Sequence, residues 1–218
     1  MNQIVTTADG SHTIFVAELN EHYHSIHGAV QESEFIFIKE GFDFCKKDPV
    51  NIFEVGFGTG LNALLTALRA ENKKRLVYYT AIEKYPLDKK LVSSLNYPKL
   101  LGRDSEKIFE HIHSSQWESM EYISGNFNLR KIRGDLEKSQ IDGSFDLIYF
   151  DAFSPDKQPG MWTREIFSMI FQATGKGGVF ITYSAKGAVR RNLISAGFSV
   201  ALLPGPPGKR QIIRAIKL

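Results

Sequence analysis

The sequence predicts an α/β domain built on a mostly parallel, doubly wound, seven-stranded sheet with an antiparallel C-terminal strand. Three observations carry this expectation. From Asn51 onward, short apolar runs alternate with longer helical patterns, the order that places helices on both faces of a parallel sheet. Phe145–Phe150 is almost continuously apolar, as in a strand buried on both faces. Near the end, two strand-like runs at 199–203 and 211–216 are separated only by 204–210. That link is too short for a parallel crossover, so the last strand should run antiparallel.

Taken in order, residues 1–50 read as an irregular N-terminal extension packed on the domain as a substrate or cofactor lid. Residues 51–218 read as the domain itself. Within it, 51–55 is a strand and 61–72 a helix. A strand at 76–82 precedes helical stretches at 86–95, with Pro86 at its start, and 103–113. Strands follow at 127–133 and 145–150. A helix over 163–174 has Thr163 as its N-cap. A strand at 178–183 and a helix at 185–196 complete the alternation.

A chain of 218 residues suffices for one well-buried domain. Hydrophobic residues make up 43% and charged residues 23%, an ordinary globular composition. No apolar run reaches the roughly 20 residues that span a bilayer, and Met1–Ile4 lacks signal-peptide character. The single cysteine, Cys45, excludes an internal disulfide and any multi-cysteine metal site. These features lead us to expect a cytoplasmic protein without a membrane partner. The net charge of +3 is mildly basic, but Lys176, Lys186, Arg190, Arg191, Lys209, Arg210, Arg214 and Lys217 crowd the last quarter. That cluster suits either a solvated face or an RNA footprint.

The strongest local signal is Glu54-Val-Gly-Phe-Gly-Thr-Gly60, at the turn from the first strand into the first helix. Gly56, Gly58 and Gly60 let the backbone approach a ligand, and the helix N-terminus offers free N–H groups. The dinucleotide fingerprint G-x-G-x-x-G would place its third glycine one residue later. Glu54 would repel a pyrophosphate, but it suits the cationic aminoacyl end of S-adenosylmethionine (SAM). A structural glycine turn is the competing reading. Glu83 closes the second strand at roughly the spacing, about 20 residues, of a ribose-binding acid. Asp135 follows the third strand, as an adenine contact or as a helix N-cap. Together these features resemble a class I SAM-dependent methyltransferase with a Rossmann-like sheet.

The fourth strand delivers Asp151, at the edge where open α/β sheets bind ligands. Cys45 lies before the first strand, so no cysteine is placed to activate a pyrimidine ring. The Asn-Pro-Pro-Tyr signature of exocyclic base-nitrogen methylation is also absent. An aspartate suits an amine acceptor, whose proton it can accept. Its alternative role is to hold the loop.

The segment from Asp151 to Trp162, with Phe153, Pro155, Lys157, Pro159 and Met161, is similar to one family. It resembles the methyltransferase domain of the bacterial tRNA 5-methylaminomethyl-2-thiouridine biosynthesis proteins (MnmC-type). The loop Gly56-Phe-Gly-Thr-Gly-Leu-Asn62, the helix Val189–Phe198, the turn Pro204–Arg210 and the segment Tyr23–Ser33 extend the similarity over nearly the whole chain. The resemblance implies methyl transfer from SAM to the primary amine of 5-aminomethyl(-2-thio)uridine at the tRNA wobble position. It implies Asp151 as the catalytic residue. The cofactor residues it implies are Glu54, Gly56, Gly58, Thr59, Gly60, Asn62, Glu83, Asp135 and Asp151.

For the flipped wobble base, Tyr23, Phe153 and Trp162 are stacking candidates, although aromatics of this kind more often pack in cores. Lys157, Lys209 and Arg210 are phosphate candidates, and Ser184 lines the pocket. Bifunctional members continue into a flavin-dependent oxidase, so no FAD is expected here and the aminomethyl precursor should come from other enzymes. The partner that the resemblance implies is the tRNA anticodon region. His12, His22, His24 and His27 match no metal-ligand spacing, and no metal is expected. Three alternatives remain at this level: a methyltransferase of small-molecule amines, a catalytically silent SAM- or RNA-binding module, and a nicotinamide dehydrogenase.

Overall fold

The computed structural model describes residues 2–218, with Arg103 through its backbone alone. The N-terminal segment is not irregular. It forms β1 (Asn2–Thr6), β2 (His12–Val16) and β3 (Glu21–His22), a three-stranded antiparallel sheet. The signal for the hairpin is Asp9-Gly10 between two alternating runs. Asp9 accepts hydrogen bonds from the Thr7 hydroxyl, the Ser11 N–H and the Gln31 N–H. These bonds tie the hairpin to α1 (Ala29–Ser33). The helix continues as a π-helical segment, Glu34–Phe42. There Ile36, Phe37, Ile38 and Phe42 are buried in the same core as Ile52, Leu64 and Tyr149.

The main domain follows as β4 (Val50–Val55), α2 (Leu61–Lys73), β5 (Val77–Glu83), α3 (Lys89–Ser93), α4 (Tyr97–Leu101) and α5 (Arg103–Ser114). Then come β6 (Met120–Ser124), β7 (Phe127–Arg133), β8 (Phe145–Phe150), α6 (Arg164–Ala173), β9 (Thr174–Thr182), α7 (Gly187–Ala196), β10 (Ser199–Pro204) and β11 (Gln211–Ile216). Strands lie in the order β10-β11-β9-β8-β4-β5-β7-β6. The sheet therefore has eight strands, not seven. The added one, β6, is an edge strand paired antiparallel with β7. Only Ile123 of its five residues is buried, so no apolar alternation announces it. As expected, β11 is antiparallel to its neighbour β9.

The β4, β5, β7, β8 and β9 pairings are parallel. Along β8, Leu147 and Tyr149 enter one core, with α2 and the π-helical segment. Ile148 and Phe150 enter the other, with Phe167 of α6 and Leu193 of α7. Burial on both faces is what the apolar run of β8 encodes. The helix expected from Pro86 is shorter, because Asp88 caps it by accepting the Leu91 N–H at 2.9 Å. Among the described residues, no helix is long and apolar enough to cross a membrane.

Candidate active site

A cleft of about 670 Å³ opens beyond the carboxyl ends of the parallel strands. It straddles β4 and β8, where the strand order reverses, the position at which open α/β sheets take ligands. The glycine loop forms its floor. At Gly56 φ is +87°, and a β-carbon there would lie 2.7 Å from the Asp151 backbone oxygen. Only glycine permits that approach. The Gly58 N–H donates to Glu83 Oε2 at 2.9 Å, and the Tyr85 N–H donates to Oε1 at 2.8 Å. Glu83 thus braces the loop while facing the cleft. Asp135 lines the cleft beside Leu136 and also caps a 3₁₀ turn, accepting the Glu137 N–H at 3.2 Å. Its other oxygen pairs with Lys84 at 2.9 Å. The N-cap reading of Asp135 thus holds, and its place on the cleft wall is compatible with the adenine reading.

Asp151 stands on the cleft wall at the end of β8. Its Oδ2 accepts the Asn62 side-chain N–H at 2.8 Å, and the same amide donates to Glu54 Oε1 at 3.0 Å. Burial, then the nearby Glu32 carboxylate, pushes the Asp151 carboxyl up to about 7, against the opposing pull of Asn62 and Lys209. Glu54 is also pushed well above the usual carboxylate range, chiefly by burial.

A carboxyl raised in this way is protonated in the folded state where the unfolded chain would ionise it. Its contribution to stability is complete below the ordinary aspartate range and is lost as pH rises through about 7. Asp151→Asn should remove that loss. Thermal unfolding of the ligand-free protein should show the variant gaining on the wild type as pH rises from about 5 to about 8. A gap that stays constant over this window would contradict the raised carboxyl.

The N-terminal segment roofs the cleft. Tyr23 packs on Gly58 and meets Phe153 edge-on, with ring centroids 4.9 Å apart. The Ser154 hydroxyl donates to Glu21. Buried His24 pairs its Nε2 with the Thr59 hydroxyl at 2.9 Å, and His113 pairs its Nε2 with the Thr59 carbonyl at 3.1 Å. Burial drops both histidines to about 4, so at neutral pH they are uncharged braces of the loop. His24 is one of the four N-terminal histidines that match no metal spacing, whereas His113 and Glu32 carried no signal of their own in the sequence.

The structure corrects several expected site residues. Glu54 is 0% exposed and lies behind Asn62, off the cleft wall, so it positions Asn62 and does not face a ligand. Trp162 is 3% exposed, packs between Phe150 and Phe167, and donates its indole N–H to the Phe153 carbonyl at 2.8 Å. It is a core anchor of the loop and not a base platform. Ser184 is buried outside the cleft lining; its neighbour Tyr183 faces the cleft and donates its hydroxyl to the Ala152 carbonyl at 2.9 Å. Lys157 and Arg210 are exposed and lie outside the cleft lining, a placement that keeps them from the base but is compatible with contacts to the RNA backbone. Lys209 turns inward to Glu32 at 3.2 Å, so its charge does not point out toward a phosphate. Tyr23, Phe153, Thr59, Asn62 and Asp151 do converge on the cleft.

Trp162→Ala should cost about 3–5 kcal/mol of stability, as for other buried large aromatics. Trp162→Phe, which loses the N–H but keeps a ring, should cost about 1 kcal/mol for the lost hydrogen bond plus the smaller ring's packing deficit. Denaturant unfolding measures both. A loss of RNA affinity at unchanged stability would return Trp162 to the cleft.

The profile of a family described as S-adenosyl-L-methionine-dependent methyltransferase matches residues 104–218, more than half of the chain. The chain belongs to that family. The methyltransferase is 31% identical over 207 residues to the tRNA 5-methylaminomethyl-2-thiouridine biosynthesis bifunctional protein MnmC of Campylobacter hominis. That match covers 93% of this chain and 31% of the relative. The Chromobacterium violaceum protein of the same name is 31% identical over 205 residues, with 87% and 31% covered. The chain therefore spans about a third of the length of the curated relatives it matches. The crystal structure of MnmC2 from Aquifex aeolicus superposes with a TM-score of 0.81 at 28% identity, over 99% of this chain and 70% of that one. Spermidine synthase from Thermotoga maritima, at 13% identity and a TM-score of 0.57, shares the fold.

The methyltransferase cleft fits SAM by its own chemistry. A glycine turn bearing no side chains of its own at 56, 58 and 60, with Tyr23 packed over Gly58 and His113 against Gly60, lies at the start of α2; Glu83 faces the cleft at the end of β5, and Asp135 and Leu136 lie where the third parallel strand ends.

Proposed function

We propose that the chain transfers a methyl group from SAM to the primary amine of 5-aminomethyl(-2-thio)uridine at the tRNA wobble position, forming 5-methylaminomethyl(-2-thio)uridine. The observation that carries this reading is the Asp151–Asn62–Glu54 relay, which aims a carboxyl of raised proton affinity into the cleft. The choice of acceptor is supported by the names of the bifunctional relatives and by the similarity to MnmC2.

Bound in the cleft, SAM supplies an electrophilic methyl group. The acceptor amine must lose a proton to attack, and Asp151, balanced near neutral pH, accepts it. Asn62 holds the Asp151 carboxylate in place, and Glu54 holds Asn62. Tyr23 and Phe153 form an aromatic corner against which an extruded base can stack. The roof built from the first 50 residues acts as a lid that admits the base and then excludes water.

The RNA backbone is met on the same edge of the sheet. Lys157 follows β8, Arg190 and Arg191 lie near the start of α7, and Arg210 closes the turn after β10. Among the described residues these four cations form no ion pair, which leaves their charge for phosphates of the anticodon arm. The aminomethyl precursor would come from a different active site, and a tRNA substrate suits a reaction in the cytoplasm.

The acceptor is tested with two anticodon stem–loops that differ only at the wobble base. The loop carrying 5-aminomethyl-2-thiouridine should take up methyl groups and the loop carrying uridine should not. Equal transfer to both, or none to either with SAM bound, would sink the assignment.

A further inference from the structure

Lys209 lies in the turn between β10 and β11, where a lysine ordinarily extends its ammonium into water. Here the side chain folds inward and is 26% exposed. Its Nζ sits 3.2 Å from Glu32 Oε1 and 4.7 Å from the centroid of the Tyr183 ring. The turn is fixed by the Gly205 N–H to the Arg210 carbonyl and by the Lys209 N–H to the Pro206 carbonyl. It also packs on the His27 ring at Gly208. Glu32 reaches the same point from α1. It is 11% exposed, its Oε2 accepts the Ser25 N–H at 2.9 Å, and its buried Oε1 has, among the described residues, no hydrogen-bond partner and the Lys209 ammonium 3.2 Å away. Glu32, Tyr183, Lys209 and Asp151 all line the cleft.

Strand order tells which end of the cleft this is. Glu83 and Asp135 follow β5 and β7, on one side of the glycine loop, and mark the nucleoside end. Asp151 and Tyr183 follow β8 and β9, on the other side. The Glu32–Tyr183–Lys209 cluster therefore lies past Asp151, on the acceptor side. A carboxylate and an aromatic face set together are the chemistry that holds an alkylammonium. The side chain found there, a CH₂–NH₃⁺ group, matches the group an aminomethyl acceptor brings.

We propose that Glu32 and the face of Tyr183 form the subsite that receives the acceptor's ammonium, and that Lys209 occupies this subsite as an internal surrogate until the acceptor displaces it. This rests on the amine-acceptor reading above. Once seated, the ammonium gives one proton to the neighbouring Asp151 carboxylate and becomes the neutral amine. Displaced Lys209 swings into solvent, which its flexible, strongly hydrated side chain accommodates. Glu32 is thus a substrate-binding residue, and Lys209 a competitor built into the fold.

The test combines a binding probe that needs no RNA with steady-state kinetics. Thermal unfolding is followed in methylammonium chloride against sodium chloride at equal ionic strength. Lys209→Met should gain Tm with methylammonium concentration, as expected for a ligand of the folded state. The wild type should not, because its own lysine fills the subsite, and adding Glu32→Gln to Lys209→Met should abolish the gain. In methyl transfer to the aminomethyl stem–loop, Glu32→Gln should raise KM about 10- to 100-fold, the range for a lost charge-assisted hydrogen bond. Lys209→Met should lower KM, and SAM affinity by calorimetry should be unchanged in both variants.

A methylammonium effect that survives Glu32→Gln would overturn the proposal. So would a raised KM with a shallower salt dependence in Lys209→Met, the mark of a phosphate contact. Equal losses of SAM affinity and KM in Glu32→Gln would assign that carboxylate to the methyl donor. If the stem–loop is not methylated but the methylammonium pattern holds, the ammonium subsite stands and the wobble-uridine reading falls.

Discussion

Asp151→Asn should lower kcat for methyl transfer by about a hundred- to ten-thousand-fold, the range contributed by a positioned general base. SAM affinity should change little, because the asparagine can still accept the Asn62 N–H that Asp151 Oδ2 accepts at 2.8 Å. In the wild type, kcat should rise with pH through about 7, as the raised Asp151 carboxyl ionises. The variant should lose that inflection. Single-turnover kinetics with calorimetry separates the two effects: equal losses in kcat and SAM affinity would make Asp151 a cofactor ligand and not a base.

Gly56→Ala should damage both the fold and the cofactor site. At φ +87° an alanine is strained, and its β-carbon would meet the Asp151 carbonyl oxygen at 2.7 Å. That neighbour is backbone at the end of a buried parallel strand, so it cannot turn aside as a side chain would. Strain and overpacking together predict a loss of about 2–5 kcal/mol. The loop can relieve the clash only by drawing away from β8. A shift of about 1 Å there separates the SAM cradle from Asp151 and should reduce turnover about 100-fold in the molecules that remain folded. Denaturant midpoints and SAM calorimetry report the two losses separately. An alanine variant with wild-type stability and turnover would mean that loop and strand are not locked together as described.

Periodicity made the central sheet legible because parallel strands buried on both faces must be apolar throughout, as β8 is. The antiparallel close was legible from the shortness of its link. The edge strand β6 was not, because one buried side chain in five leaves no pattern to read. The N-terminal hairpin carried its signal in Asp9-Gly10, but its strands are short and β1 has no buried residue. The π-helical segment showed no distinct period.

Within the site, the glycine loop, Glu83 and Asp151 were legible because strand ends and tight turns restrict the residue types they accept. Glu54 sits where the motif places it, yet its function is indirect, and only burial behind Asn62 shows that. Trp162 belongs to the segment that carries the family resemblance, and its packing assigns it to the core. The inward fold of Lys209 onto Glu32 joins residues 177 positions apart in the chain. No local pattern encodes such a pair, because it exists only once the N-terminal helix and the last hairpin share one cleft.

The central claim is that this cleft methylates an amine on the wobble base of tRNA. Its most direct test is transfer from labelled SAM to bulk tRNA taken from cells that lack the activity, followed by nucleoside analysis. The label should appear in a 5-methylaminomethyl nucleoside and nowhere else, and Asp151→Asn should slow its appearance by about a hundred- to ten-thousand-fold. Intact SAM binding with no label in tRNA, or label in any other nucleoside, would contradict the claim.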